Sequence, residues 1–462
     1  MRLLISMLLL FGCNTEEAGP KDTNVELPGS TDPDTEPVIE WTVEPIEAKN
    51  AGDQADLAVG PDGTIAVAYF THVPYYDGQC DELSVENLPL RVRHDLRFAE
   101  KSASGDWSIE TLDSPLYPEM EGPSGLSLAF NGDGEPAVAY TGGPPEPTSS
   151  YCSANDAMLA VRSGGAWTEE TVSAESNDSF TDRPESQAGY AVGWWSALAY
   201  DTDGNPAVIH QDVHFLTLQG DDKRRADAEF AWRQGGAWTY EAVDPGEGAG
   251  DANDIIFDAK GRPIVFYAIP VENNETSRHG VWAARRAEDG TWETVQIHTG
   301  STGYRISAAM DPAFNEPVAA FYSGPDYGIK IRRFIGDEDF TDTDMWTSEI
   351  VRDARYDEGQ QVSLAFAPDG TPALAYFRCK RYDAVDDACI PNDEALVFAL
   401  QKRGEWKMEV VEDGDILECG MYPSLAFDEA GDAHIAFQCV TKSFGVSSFG
   451  LFLATKKIGA SK

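Results

Sequence analysis

A strand–turn–strand pattern that recurs seven times constrains this chain more than any other feature. The copies are DLAVGPDGTIAVAY from Asp56, SLAFNGDGEPAVAY from Ser127, SALAYDTDGNPAVIH from Ser196, DIIFDAKGRPIVFY from Asp254, SAAMDPAFNEPVAAF from Ser307, SLAFAPDGTPALAY from Ser363 and SLAFDEAGDAHIAF from Ser424. Each is a short apolar run, a turn built on Asp and Gly, and a second run of small and β-branched residues, which is the signature of a tight hairpin. The turn glycines supply a positive φ at little cost, and in the fifth copy Asn315 takes that place. After each of the first six copies comes an apolar strand, a second turn, and then Trp followed by period-two alternation, as in MLAVRSGGAWTEETV from Met158 and LVFALQKRGEWKMEVV from Leu396. Four antiparallel strands per unit, repeated in series, predict an all-β, seven-bladed β-propeller.

The Trp series settles how the ring closes. Trp107, Trp167, Trp238, Trp292, Trp346 and Trp406 mark only six outer strands, and the last repeat ends at LFLATKKIGASK without one. The segment from Ile39 to Glu44 carries the same Trp-x-x-Glu pattern at Trp41 and Glu44, ahead of any inner hairpin. The N-terminal strand is therefore expected to complete the seventh blade, leaving no exposed sheet edge. The spacing of turn glycines is widest from Gly63 to Gly134 and from Gly134 to Gly204. The extra residues fall in connections that emerge on one face of a propeller, and that face is the expected working surface.

Ahead of the repeats, MRLLISMLLLFGC has one positive charge, a short apolar run and then Cys13. The run is shorter than the roughly 20 apolar residues that span a bilayer and reads as a signal peptide over 1–12. Leu10, Phe11, Gly12 and Cys13 resemble the lipobox of bacterial lipoproteins, which implies that Cys13 is lipidated and becomes the mature N-terminus. Asn14 stands where an Asp would signal inner-membrane retention in enteric bacteria, so the resemblance implies the outer membrane or cell surface, with contact to the membrane through the lipid alone. Residues 13–37 are rich in Thr, Glu, Asp, Pro and Gly with few large apolar side chains, and read as a disordered acidic tether to a propeller over 38–462. The net charge is −45. Such acidity excludes a default nucleic-acid partner, because a phosphate-binding surface needs clustered Lys and Arg.

The repeats resemble those of extracellular bacterial propeller lipoproteins with blades reading roughly SLAFDxxGxPxVAY, and more distantly the sialidase-like propellers. Sialidases clamp a carboxylate with three arginines and use a Tyr–Glu nucleophile pair and an acidic Asp. Tyr304, Arg305, Ile306 and Ser307 match three positions of their Tyr-Arg-Ile-Pro motif, but in the fifth blade, where Ile306 and Ser307 follow this chain's own repeat. The Asp-box spacing of that family is not met by SGGAW or EDGTW.

Setting aside Cys13, six cysteines remain, an even number that suits disulfides in an oxidising compartment. Loop positions in the blade topology suggest the pairs Cys80–Cys152, Cys379–Cys389 and Cys419–Cys439. No CxxC spacing points to zinc. Asp337, Asp339, Asp342 and Asp344 crowd together in GDEDFTDTD, which makes calcium the one metal worth considering, but the central Gly and bidentate Glu of an EF-hand loop are missing and a solvated turn is the better reading. No cofactor is expected. His210 replaces the Tyr69, Tyr140, Tyr267 and Tyr376 of other blades and reads as core, so IHQDVH offers no triad. Asp56, Ser127, Ser196, Asp254, Ser307, Ser363 and Ser424 begin the inner strands, and their repetition argues for backbone hydrogen bonding. Two residues earlier the chain varies, and Gln54, Trp194, Arg305, Gln361 and Tyr422 form the candidate ligand ring at the channel mouth. The function expected from these features is a surface-anchored, monomeric, non-enzymatic binding module for a glycan, peptide or envelope protein. The alternative is a secreted sialidase-like glycoside hydrolase.

If Cys13 is the attachment point, Cys13→Ser releases the protein to the soluble fraction or leaves its precursor uncleaved. Metabolic lipid labelling checks this, and undiminished labelling of the variant contradicts the assignment.

Overall fold

The computed structural model describes residues 40–72, 75–79, 90–102, 105–118, 123–143, 156–174, 191–215, 225–245, 248–270, 278–303, 305–336, 339–352, 357–379, 382–383, 388–389, 394–413, 417–443 and 446–458. The chain divides into two units, Met1–Val38 and Ile39–Lys462, and all that follows concerns the second. Cys13 lies outside the described residues.

Seven four-stranded antiparallel sheets follow one another along the chain. Blade 1 comprises Asp53–Val59, Ile65–Phe70, Leu96–Lys101 and Trp107–Asp113; blade 2 Leu126–Phe130, Pro136–Gly142, Asp156–Ser163 and Ala166–Ser173. Blade 3 comprises Ala191–Tyr200, Pro206–Phe215, Arg225–Gln234 and Ala237–Asp244; blade 4 Asp251–Phe257, Pro263–Ile269, Gly280–Arg286 and Trp292–Thr299. Blade 5 comprises Ile306–Asp311, Glu316–Ser323, Gly328–Phe334 and Trp346–Val351; blade 6 Asp357–Phe366, Pro372–Cys379, Glu394–Lys402 and Glu405–Asp413. Blade 7 takes three strands from the C-terminus, Leu417–Phe427, Ala433–Ser443 and Val446–Lys456, and its fourth from the N-terminus, Thr42–Glu47. That fourth strand pairs Thr42 with Thr455 and Val43 with Ala454. The closure expected from the Trp series is the one observed.

A blade of this kind has two apolar faces and no core of its own. Its stability comes from its neighbours, and each of the seven seams between blades holds its own cluster of buried side chains. The tryptophans are part of these seams: Trp167 meets Phe98 of the preceding blade edge-on at 4.9 Å, Trp292 meets Phe230 at 5.2 Å, and Trp41 meets Phe398 at 5.1 Å.

The Glu of the Trp-x-x-Glu pattern crosses to the next blade. Glu170 accepts from Arg233, Glu241 from Arg286 and from the Trp292 indole, Glu349 from the Trp406 indole at 2.9 Å, and Glu409 from Trp41 and Lys456. Glu44 of the closing strand pairs with Lys101 of blade 1. Each such bond is partly solvated and contributes about 1 kcal/mol or less, but together they fix which blade follows which. Near the channel a second set of bonds uses the strand-initial hydroxyls and carboxylates. Ser307 Oγ accepts from Leu364 N at 2.9 Å, Ser363 Oγ from Leu425 N at 3.0 Å, Ser424 Oγ from Leu57 N at 2.9 Å, Asp56 from Leu128 N at 2.9 Å and Asp254 from Ala308 N at 2.6 Å.

Cys419 and Cys439 sit opposite one another in the first two strands of blade 7 and are joined by a disulfide. Cys379 is disulfide-bonded as well. Cys80 and Cys152 lie outside the described residues, as does the side chain of Cys389. In blade 1 the long connection is not plain loop: Tyr75–Gln79, Leu90–Arg93 and Leu116–Pro118 form a small three-stranded sheet.

Removing residues 38–48 strips the outer strand from blade 7 and exposes a sheet edge, so thermal unfolding of that truncation should begin well below that of the full chain. Removing residues 16–34 should leave the transition where it is. Equal transitions for the two truncations contradict closure by the N-terminal strand.

Candidate functional site

In blades 1, 3, 4 and 7 the inner strand reaches the channel through an irregularity in its pairing. Register shifts fall between Asp53 and Asp56, between Trp194 and Ala197, between Asp251 and Asp254, and between Met421 and Ser424. At these bulges Gln54, Trp195, Ala252 and Tyr422 take left-handed backbone angles, with φ of 52°, 56°, 52° and 49°. Non-glycine residues adopt this region at a cost, and bulges re-aim side chains, so the same device four times over turns these residues toward the axis. In blade 2 the equivalent is Gly125, where a Cβ would come within 2.8 Å of Trp195 Cα. Glycine there lets the two backbones touch.

The result is a cavity of about 370 Å³ at the inner end of the first strands. Gln54, Arg305, Gln361 and Tyr422 line it as the sequence suggested. Trp194 does not. It is 8% exposed and packs with Ala191, Val213 and Ala226, while the tryptophan that lines the cavity is Trp195. The cause is the additional residue in the third repeat: Ala197 pairs with Ile209 as Ser127 pairs with Ala139, so the true equivalent of Ser127 is Ala197, and two residues earlier stands Trp195. Ser196, displaced from the ring, donates instead to Gly193 O within its own blade.

Arg305 is not a free guanidinium in the mouth. It crosses from blade 5 to donate to Asp56 Oδ1 at 2.9 Å and to Pro423 O at 3.1 Å, and Ser424 Oγ donates to the same Asp56 oxygen at 2.8 Å. Among the described residues it is the only arginine lining the cavity, so no arginine triad of the sialidase kind converges there. Tyr304 lies outside the described residues. Gln361 is held by Tyr422 N, which donates to its Oε1 at 2.5 Å.

Two residues of blade 4 complete the cavity. Asp254 occupies the position that is Ser in blades 2, 5, 6 and 7. Withdrawal from bulk water pushes its carboxyl up to about 7, against the opposing pull of N–H donation from Ala308 and Ile255 and of the charge on Arg305. It is thus about half protonated at pH 7 and fully so at lower pH, while Asp56 lies 2.9 Å from the Arg305 guanidinium. Beside it, Asn253 lines the cavity with both ends of its side-chain amide buried and unbonded. An amide left so is expensive unless a ligand or water meets it. The equivalent positions carry Ala55, Leu126, Ile306, Val362 and Pro423, so comparison among the repeats alone marks Asn253 as the exception.

His210 is fully buried, and burial lowers its imidazole to about 4, in agreement with a core role. His214 lies 3.2 Å from Asp227 and 3.4 Å from Asp212, away from the cavity. Among the described residues no three His, Cys, Asp or Glu side chains are grouped to hold a metal. Asp339 and Asp342 cap their own turn through Thr341 N and Asp344 N, and Asp337 lies outside the described residues.

No family model matches this sequence, and no curated protein sequence matches it. Solved structures do resemble it in fold. A protein of unknown function from Dyadobacter fermentans is 10% identical, with a TM-score of 0.48 over 90% of this chain and 99% of that one. The α-L-arabinanase of Penicillium chrysogenum is 11% identical, with a TM-score of 0.40 over 89% and 98%. The polysaccharide lyase Uly1 is 9% identical, with a TM-score of 0.44 over 88% and 91%. The propellers of known activity among these, with α-L-arabinofuranosidases from Lactobacillus brevis and Fusarium graminearum, are enzymes acting on glycans. The expectation of a non-enzymatic binding module is corrected accordingly. At such low identity the likeness is one of fold, and the chemistry has to be read from the cavity itself.

The raised carboxyl of Asp254 has a consequence for folding. The unfolded chain ionises this group near 3.8 and the folded chain near 7, so its contribution to stability is complete below about pH 4 and is lost as the pH rises to about 7. Asp254→Ser, which restores the residue of the other blades, should therefore gain stability relative to the parent across that interval. Thermal melts of both proteins at pH 4, 5.5 and 7.5 check it, and a constant difference contradicts the assignment.

Proposed function

We propose that this protein is a glycoside hydrolase whose reaction takes place in the channel cavity. The observation that carries the reading is the pair of departures in blade 4: a carboxylic acid in place of the repeat's serine, held protonated near neutral pH, beside an amide with no partner. Asp254 gives its proton to the leaving glycosidic oxygen as that bond breaks, the Asp56 carboxyl faces the positive charge that develops on the sugar, and a water adds to the anomeric carbon and returns a proton to Asp254. Arg305 fixes Asp56 and leaves no unpaired cation to attract an acidic sugar, which favours a neutral glycan. Asn253, Gln54 and Gln361 offer donors and acceptors to hydroxyls, and Trp195 and Tyr422 offer apolar faces. Lipidation at Cys13 would hold this activity at the outer membrane, about 25 tether residues away from the bilayer.

Asp254→Ser should fold and lose hydrolysis by about 10²- to 10⁴-fold, since it removes the proton donor but keeps an acceptor for Ala308 N. For the parent protein the rate should fall as pH rises through about 7, where Asp254 ionises. Release of reducing sugar from neutral polysaccharides, arabinan among them, is the assay. Full activity in folded Asp254→Ser, or a rate that rises above pH 7, contradicts the reading.

A further inference from the structure

The repeats provide an internal standard against which a second departure stands out, on the opposite face of the ring. In each hairpin of the inner strands one residue precedes the left-handed position, and it is Asp62, Asp133, Asp203, Asp369 and Ala430 in five blades. In blade 4 it is Lys260 and in blade 5 it is Phe314. These two turns are neighbours, and between them lies a cavity of about 300 Å³. Phe314 lines it with 71% of its surface exposed, the most exposed of the large apolar side chains among the described residues.

The ring is presented by a locked turn. Asp311, itself 2% exposed, accepts from Ala313 N at 2.8 Å and Phe314 N at 3.2 Å, while Asn315, at φ 53°, donates to Asp311 O at 2.7 Å. An aromatic side chain fixed in this way loses little entropy when something stacks on it. On the floor, Arg285 lines the cavity with its side chain 3% exposed, at a third-strand position that is Val161, Trp232 and Leu400 in blades 2, 3 and 6, Glu100 in blade 1 and Arg333 in blade 5. Its guanidinium lies over Phe340 at 4.8 Å and pairs with Glu293, and Arg262 beside it pairs with Asp258 at 2.7 Å. Charged groups here come as donor–acceptor couples, so the cavity offers many hydrogen bonds and little net field. That combination, with an apolar plate at the rim, suits a polyhydroxylated ligand better than an ion.

We propose that the seam between the hairpin turns of blades 4 and 5 is a second binding site, which takes a neutral sugar unit of a glycan on Phe314. The site is separate from the channel cavity and does not depend on the hydrolase reading. It would keep a polymer attached to the face away from the reaction.

The test is calorimetric titration of Asp254→Ser, which leaves any substrate intact, with neutral arabino-, galacto-, xylo- and gluco-pentasaccharides, and with pentagalacturonate for comparison. Phe314→Asp and Lys260→Asp, placed singly in that background, restore the residue of the other blades and should melt as the parent does. At least one neutral pentasaccharide should bind, and Phe314→Asp should weaken one binding event about tenfold or more. Unchanged isotherms in Phe314→Asp, absence of binding by all four neutral sugars, or Phe314-dependent binding of pentagalacturonate alone would each overturn the proposal. Phe314-dependent binding by a protein that hydrolyses nothing would sustain this site and refute the hydrolase reading, whereas hydrolysis without it would do the reverse.

Discussion

Every blade in this protein depends on the blades beside it. A four-stranded sheet with two apolar faces cannot bury either of them alone, so the seven seam clusters hold together only if the ring closes. Closure falls to Thr42–Glu47, a strand far in sequence from its partner Val446–Lys456. The hydrogen bonds across the seams then work at two radii. Carboxylates of the Trp-x-x-Glu pattern tie the outer strands, and strand-initial Ser and Asp side chains tie the inner ones next to the channel.

The inner tie explains why an ionisable carboxyl of raised proton affinity sits where it does. A serine in this position accepts one backbone N–H and is otherwise inert. An aspartate in the same position accepts the same N–H and brings an ionisable group into a confined cavity, where loss of hydration raises its proton affinity. The fold thus supplies seven equivalent places for such a group, and this chain fills two of them with Asp56 and Asp254. The two carboxyls differ in their partners: Arg305 reaches Asp56 from across the channel, while Asp254 is held mainly by neutral backbone donors. Separation of acid and anion within one cavity is the arrangement that glycosidic cleavage uses.

Architecture was legible because a repeat states it many times over. Turn glycines, alternation and the Trp series fix the strands, and the absent seventh Trp strand locates the closure. The cavity was legible at Gln54, Arg305, Gln361 and Tyr422, each two residues ahead of a strand start that the repeat marks correctly. It was misplaced at Trp194, because the additional residue of the third repeat makes Ala197, not Ser196, the equivalent strand start and Trp195 the residue two positions ahead of it. Asp254 was visible as a strand start, but its proton affinity depends on burial and on the reach of Arg305, neither of which sequence spacing encodes. Asn253 could have been found by reading the repeats column by column, as the single amide among apolar residues and one serine. The pairing of Arg305 with Asp56 joins blades 5 and 1 across the channel, and no local pattern announces it.

The account turns on the protonation of one carboxyl. Infrared difference spectra, recorded between pH 3 and 9 on the protein and on Asp254→Ser, report the protonated carboxyl bands directly. Burial pushes Glu229 up to about 8, so its band is common to both proteins; a further band that disappears with a midpoint near pH 7 and is present only in the parent is the predicted result. A parent-only band that titrates near pH 4, or identical bands in the two proteins, would show that Asp254 is an ordinary structural carboxylate and remove the basis for catalysis in the channel.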